Sequence, residues 1–237
     1  LGDFFLTFAA KNYFIMKKLL LLFSFLLLVT SCVPKVALSA DYWQKPTKVG
    51  ILINANSPAK FKEGSQGLLD MAVTSGDKYK EALDLMGQNI HPKEELTGIY
   101  SEIFKAKGKE VVIIDEKFDH KTAKKFAGEK AEGKKYSNYD FSDLKTKYGV
   151  DELLFVNVNY GFMISYYGMI ETGKMAHAAV DTKIIDLNDQ HLILANQNFK
   201  NEVLKKWKDN NYENSLQGVR TALDKVETEE KAVFITQ

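Results

Sequence analysis

The chain runs to 237 residues and sets 32 Lys and Arg against 31 Asp and Glu, with four histidines and one cysteine. That balance argues against nucleic acid as a main partner, because phosphate binding draws on a basic surplus gathered on one face. A lone cysteine rules out internal disulfides and Cys-based zinc centres, and the length suits one domain with its own core.

Residues 1–15 place Asp3 and several apolar side chains ahead of the first basic pair and fit no part of a targeting segment. They are read as an upstream mis-start, with Met16 as the true beginning. Lys17 and Lys18 form a short positive start, and Leu19 to Val29 is apolar apart from Ser24. Behind a basic start, an apolar run shorter than the ~20 residues that cross a bilayer is a secretory signal peptide, here residues 16–31. Its ending, Val29-Thr30-Ser31-Cys32, resembles the lipobox of bacterial lipoproteins. The resemblance implies a diacylglycerol on the Cys32 sulfur, cleavage before that residue and an acyl chain such as palmitate on the new amino terminus. Each buried acyl CH₂ contributes ~0.8 kcal/mol, so several chains on one residue hold a domain at a membrane. In Gram-negative lipoproteins an Asp after the cysteine resembles an inner-membrane retention signal. Val33 stands there instead, which points to a periplasm-facing, lipid-anchored protein of the outer membrane.

Residues 32–47 carry two prolines and no hydrophobic period, and read as a tether whose Trp43 either docks on the domain, the usual fate of a lone aromatic, or lies at the lipid surface. Residues 48–237 are read as a single α/β domain. Lys48 to Asn54 (KVGILIN) is a short apolar run of the kind that forms a buried strand. Phe61 to Thr74 is taken as a second strand. Tyr79, Ala82, Leu83 and Met86 share one helical face that Gly87 is expected to close. Pro92 opens a further helix, with Leu96, Ile99, Tyr100, Ile103 and Phe104 spaced at three and four up to Gly108. Glu110 to Asp115 (EVVIID) is the next buried strand. Lys117 to Lys135 is polar and expected to be a frayed surface helix, and a short helix over Phe141, Leu144 and Tyr148 ends at Gly149. Asp151 to Phe162 alternates Val156, Val158, Tyr160 and Phe162 with Asn157, Asn159 and Gly161, so one strand face is apolar. Met163 to Lys174 is read as a connection. Two strands, Ala176 to Asp186 and His191 to Phe199, are joined by a tight turn at Asn188-Asp189. A helix over Tyr212 to Glu227 follows, and Ala232 to Ile235 is left as a short strand or docking tail. The fold class is therefore α/β, a mixed β-sheet flanked by helices, with a C-terminal run of three consecutive strands followed by a helix.

Tyr148-Gly149-Val150-Asp151 feeds one buried strand and Ile184-Ile185-Asp186-Leu187 lies in the next. This layout is similar to envelope lipoproteins related to the curli-secretion component and the penicillin-binding-protein activators, and to the amino-terminal domain of the Tol-system periplasmic protein. The likeness spans about Lys48 to Val226, and Tyr166-Tyr167-Gly168 resembles a Tyr-Tyr-Gly loop of uncharacterised lipoproteins in that group. It implies an envelope location and a binding or assembly role. The pore-forming helix and strands of the curli component have no counterpart here, so that activity does not carry over.

No constellation points to catalysis. Gly128 to Lys135 (GEKAEGKK) approaches a phosphate-binding loop but lacks the Ser or Thr for Mg²⁺ and a preceding strand. Asp186 to Gln197 opens like a calcium loop, but has His191 where Gly is needed and Gln197 where Glu is needed. His91, His120, His177 and His191 fall at unrelated spacings, and Ser65 misses the G-x-S-x-G elbow by one position. No metal, cofactor or catalytic residue is assigned. The unusual stretch is the aromatic-rich one, with Tyr160, Phe162, Tyr166 and Tyr167 as candidate partner-binding residues. These side chains either complete the core or form a protruding tip that grips a partner, as aromatics do at interfaces. The function expected is a non-catalytic binding or assembly module, anchored to the membrane through Cys32 and engaging an envelope protein. A solute- or glycan-binding lipoprotein is the alternative, and an envelope hydrolase ranks behind it.

Overall fold

The computed structural model describes residues 35–235, so Val29, Thr30, Ser31 and Cys32 lie outside the described residues. Six strands form one mixed sheet: β1 (Lys48–Ala55), β2 (Ala59–Ser65), β3 (Glu110–Ile113), β4 (Glu152–Tyr167), β5 (Ile170–Asp186) and β6 (Leu192–Val203). The order is β3-β1-β4-β5-β6, with β2 also on β4. β1 pairs in parallel with β3 and β4, β2 pairs in parallel with β4, and β4, β5 and β6 form an antiparallel meander. Five helices complete the domain: α1 (Leu68–Val73), α2 (Lys80–Asn89), α3 (Pro92–Ala106), α4 (Ser142–Tyr148) and α5 (Glu213–Ile235). No described helix is long and apolar enough to cross a membrane.

β4 organises the sheet. Its alternation puts Val156, Val158, Tyr160, Phe162, Ile164 and Tyr166 on one face, where they meet α2, α3 and α5 in the larger core. Leu153 and Phe155 point the other way, into a smaller core with Phe141, Leu144 and Ile185 under α4 and the segment before it. One edge of β4 is shared by two strands laid end to end. β1 runs beside Glu152 to Val158 and β2 beside Gly161 to Tyr167. Between them Asn56, Ser57 and Pro58 oppose only Asn159 and Tyr160, an extra residue that bends the edge at a proline with no N–H to pair. Gly161 sits at this join with φ +136°, and a Cβ there would lie 2.2 Å from the Ala59 carbonyl oxygen. Only glycine fits.

The Tyr-Gly-Val-Asp sequence has a plain structural cause. Gly149 ends α4 in the left-handed conformation, Val150 is buried, and the Asp151 carboxylate accepts the Lys48 N–H at 3.0 Å. It fastens the start of β4 to the start of β1.

Several elements differ from the sequence expectation. Leu68 to Val73 is a helix, not strand, nucleated by Asp70 accepting the Gly67 N–H at 2.9 Å. α2 continues past Gly87 to Asn89. Lys117 to Lys135 forms no helix, since it has no apolar stripe to bury; isolated bridges pair Lys125 with Tyr139 and Tyr136 with His191. The expected connection after Phe162 is strand on both sides of a tight turn, because β4 and β5 pair down to Tyr167 and Ile170. Ala232 to Ile235 continues α5, with Phe234 fully buried.

The tether also differs. From Lys35 onward it is folded onto the domain, with Val36 and Ala195 exchanging backbone hydrogen bonds of 2.9 and 3.0 Å. Tyr42 is buried and its hydroxyl donates to Glu152 Oε2 at 2.7 Å. Buried Lys109 sits over the Tyr42 ring and donates to the Tyr42 and Lys45 carbonyls and to Thr47 Oγ1. Trp43 packs edge-on against Phe104 and Phe234, as expected of a docked aromatic.

A buried carboxylate pins α5 to the sheet. Glu230 accepts from Tyr100, Thr182, Asn196 and Asn198 at 2.6 to 3.1 Å. Burial raises its pKa and these four donors oppose the rise. One turn earlier, burial and the negative charges of Glu95 and Asp224 push Glu227 up to about 7 from 4.5.

Two predictions follow the packing. Val158→Asp buries an unpaired charge in the larger core and should cost several kcal/mol, a large share of a domain's ~5–15, read as a collapsed urea midpoint. Glu227 holds a proton in the folded state that the unfolded chain has released between pH 4.5 and about 7. Its stabilising contribution is thus complete below pH 4.5 and lost as pH rises through about 7. Glu227→Gln should raise stability at pH 8 by about 1–2 kcal/mol, the side chain being only half buried, and leave it little changed at pH 4. Equal effects at both pH values would contradict this.

Candidate functional site

The four aromatic candidates separate by burial. Tyr160, Phe162 and Tyr166 are 4, 0 and 4% exposed, on the core face of β4, while Tyr167 is 75% exposed. Three of the four are therefore core: Tyr160 and Phe162 on the apolar face that their alternation predicts, and Tyr166 because β4 continues as strand to Tyr167 instead of ending at Phe162. Only Tyr167 stands at a surface tip, beside the Gly168-Met169 turn.

That tip is joined by a neighbour the sequence reading missed. β2 runs parallel to β4 as far as Ser65 opposite Tyr167, and α1 starts three residues later. Gln66 Nε2 donates to the Gly168 carbonyl at 2.9 Å and the Gly168 N–H to the Ser65 carbonyl at 3.0 Å. Leu68, Leu69 and Val73 of α1 are 83, 82 and 67% exposed, and Met169 and Ile170 of the turn 58 and 66%. Large apolar side chains gathered at one end of a sheet mark an interaction surface more often than scattered ones do. The signal was present in the run Leu68-Leu69-Asp70-Met71-Ala72-Val73, which a strand assignment had hidden.

A second site lies on the opposite sheet face. The β1-to-β3 connection crosses over the face carrying α2 and α3, and the β3-to-β4 connection crosses over the other, with α4. The crevice beyond β1 is therefore a topological switch point, where open α/β sheets hold ligands. Its polar groups come from three strands and the segment before α4. Asn157 Oδ1 accepts from Asn54 Nδ2 at 2.7 Å and Asn56 Nδ2 at 3.2 Å, and lies 3.2 Å from His120 Nε2. Asn56 Nδ2 also donates to Asn159 Oδ1, and His120 Nδ1 lies 3.2 Å from the Tyr139 hydroxyl. Opposite Asn157 on β5 stands Asp181, whose Oδ2 pairs with Lys183 Nζ at 2.5 Å. Its Oδ1 is buried and has no hydrogen-bond partner among the described residues. His120, Tyr139, Phe155, Asp181 and Lys183 help to enclose a pocket of about 210 Å³. Sequence reading missed this site, because its residues are distant in the chain and individually unremarkable.

The β5–β6 turn brings Asp186, Asp189 and His191 together, with potential ligand atoms within 4.8 Å of one another. Those atoms are engaged within the turn. Asp186 Oδ1 accepts from Asn188, and Asp189 Oδ1 from the His191 N–H, with Lys134 on Oδ2. Burial works against its charge, but the bonds from His191 and Lys134 hold Asp189 down at about 2. The turn reads as self-satisfied loop geometry. Gly128 to Lys135 is exposed throughout and irregular apart from a turn at Glu132-Gly133, with no strand leading into it, as a phosphate loop would need.

No protein-family model and no curated protein matches the chain. Among solved structures, a neuraminyllactose-binding hemagglutinin homolog from Helicobacter pylori is 13% identical with a TM-score of 0.38, over 79% of this chain and 84% of that one. Protein XCC0632 from Xanthomonas campestris is 11% identical with a TM-score of 0.37, over 85% and 92%. Lipoprotein GNA1162 from Neisseria meningitidis is 15% identical with a TM-score of 0.27, over 78% and 99%. The chain is a mixed α/β domain, and these are distant structural similarities to bacterial proteins, a lipoprotein among them. Likeness of this size carries no argument about activity.

Proposed function

We propose that this is a lipid-anchored, periplasm-facing protein of the bacterial outer membrane that binds another envelope protein and catalyses no reaction. The observation that carries the binding role is the apolar platform of Leu68, Leu69, Val73, Tyr167, Met169 and Ile170, each more than half exposed. The address comes from the signal peptide and Cys32.

Geometry favours a protein over the anchoring membrane as the platform's occupant. Val36 bridges to Ala195, which lies opposite Lys183 and, across it, Phe155. Twelve residues of β4, roughly 40 Å of strand, separate Phe155 from Tyr167. Val36 follows Cys32 by only four residues, at most ~14 Å of extended chain. The described chain thus begins near the Ala195 end of the sheet, and the platform stands at the far end of β4. There an apolar groove on another envelope protein can cover it.

Variants of the anchor, the platform and the core beside it test this. Cys32→Ala should lose fatty-acid label and move to the soluble fraction or stall in processing; normal labelling would sink the anchor. A photo-crosslinker at Met169 should capture one protein from native envelopes. The capture should vanish with Leu68→Ser plus Leu69→Ser and be absent when the crosslinker stands at exposed Glu132. Tyr167→Ala should leave unfolding within about 0.5 kcal/mol of wild type yet weaken capture at least tenfold, whereas buried Tyr166→Ala should cost about 3 kcal/mol of stability. Capture that survives all platform variants would remove the binding role.

A further inference from the structure

β6 ends the sheet, and over its second half the outer edge has no strand beside it among the described residues. Val36 caps that edge at Ala195, and Gln197 to Val203 pair with β5 alone. We propose that a second copy of the chain closes the edge with the same strand, antiparallel about a twofold axis at Asn201, so that one sheet runs through a homodimer. The surface stands apart from the platform at the hairpin tip, which other elements build.

The edge is poorly guarded. Native edges are kept from pairing by shortness, proline, bulges or charged side chains. β3, at the opposite end of the sheet, is only four residues long. β6 runs for twelve, and from Gln197 to Val203 it keeps register with β5 without a bulge or a proline. Its two charges there, Lys200 and Glu202, are of opposite sign and point to the α5 face, where they pair with Glu229 and Lys225. Phe199, Asn201 and Val203 alternate with them onto the other face, and Phe199 and Val203 are both more than half exposed.

Symmetry leaves few registers for a strand that pairs with its own copy. A twofold axis between antiparallel neighbours stands perpendicular to the sheet, so every side chain stays on its own face. Opposed residues are then separated by an even number, and the axis passes between a residue and its own copy. At Lys200 it would set lysine against lysine, and at Glu202 glutamate against glutamate. At Phe199 or earlier, the ladder would run into Ala195, whose edge Val36 already holds. Beyond Glu202 it would run off the end of β6. At Asn201 the pairs match. Lys200 meets the partner's Glu202 on the α5 face, Phe199 meets the partner's Val203 on the other, and the axis repeats each pair. Directly opposed residues in such a ladder lie about 5 Å apart, within reach for both kinds of contact. The edge is therefore complementary to itself in charge and in apolar contact, which fits it to a second copy rather than to an unrelated strand.

The test places the photo-crosslinker p-benzoylphenylalanine at exposed Phe199 of the full chain, co-expressed in native envelopes with a second copy that carries a different tag. It should capture that second copy, with the link in the tryptic peptide Asn201 to Lys205, which contains Val203. Lys200→Glu alone and Glu202→Lys alone should each cut the capture about tenfold, because the axis repeats every like-charge contact. The double variant, Lys200→Glu with Glu202→Lys, should restore it, although neither exchanged side chain regains its partner on α5. That recovery separates pairing across the axis from damage to the fold, which thermal unfolding of each variant reports as well. Leu69→Ser on the platform should leave the capture unchanged. Capture of no second copy, a link outside residues 201–205, or a double variant as weak as the single ones would each overturn the proposal.

Discussion

The structure depends on β4 being paired along one edge for all its 16 residues and along the other for all but Asn159 and Tyr160. β5 is long enough to pair with it throughout, at 17 residues, but β1 is only eight residues long and cannot cover the other edge alone. β2 completes the edge, at the cost of a proline-bearing bulge and a glycine at positive φ where the two meet. Leaving half of that edge open would expose a row of unpaired backbone groups, a template for unwanted pairing. The arrangement also fixes where everything else lies. The β2 end delivers α1 to the hairpin tip, and the β1 end opens the polar crevice.

Burial is divided unequally between the two sheet faces. The helical face holds the larger core, where Glu230 is satisfied by four donors and Lys109 by three oxygens, while Trp43 Nε1 and Glu227 Oε1 are buried without a partner among the described residues. The other face is covered only over its first part, by α4 and the aromatic cluster around Phe118. Past that cover the sheet carries amides and a histidine that lie within hydrogen-bond distance of one another. Asp181 Oδ1 on this face is likewise buried without a partner among the described residues.

The docked segment from Lys35 changes what an anchor on Cys32 would do. A free tether of fifteen residues would let the domain sample any orientation over the membrane. Val36 on β6, Tyr42 on Glu152 and Lys109 on the carbonyls of the same segment remove that freedom. The apolar tip is then presented in a defined direction relative to the point where the chain leaves the domain.

Local pattern alone determined much. The basic start, short apolar run and Cys32 set the expectation of an envelope address. The alternation in Val156, Val158, Tyr160 and Phe162 defines the central strand and its inner face, because side-chain direction in a strand has period two wherever the strand sits. Spacing at three and four fixed α3 and most of α5 for the same kind of reason. Partnership between distant segments decided the rest. Nothing local says that Met163 to Tyr167 continues as strand, since that follows from β2 and β5 both arriving to pair with it. Leu68 to Val73 is apolar enough for either a strand or a helix, and only the end of the β2 register and the Asp70 cap settle it. The docking of Tyr42 needs Glu152, 110 residues away, and the crevice gathers Asn54, His120, Asn157 and Asp181 from segments whose spacing carries no motif. Sites assembled by crossover connections leave no periodic trace in the chain, because their geometry belongs to the sheet order and not to any one stretch.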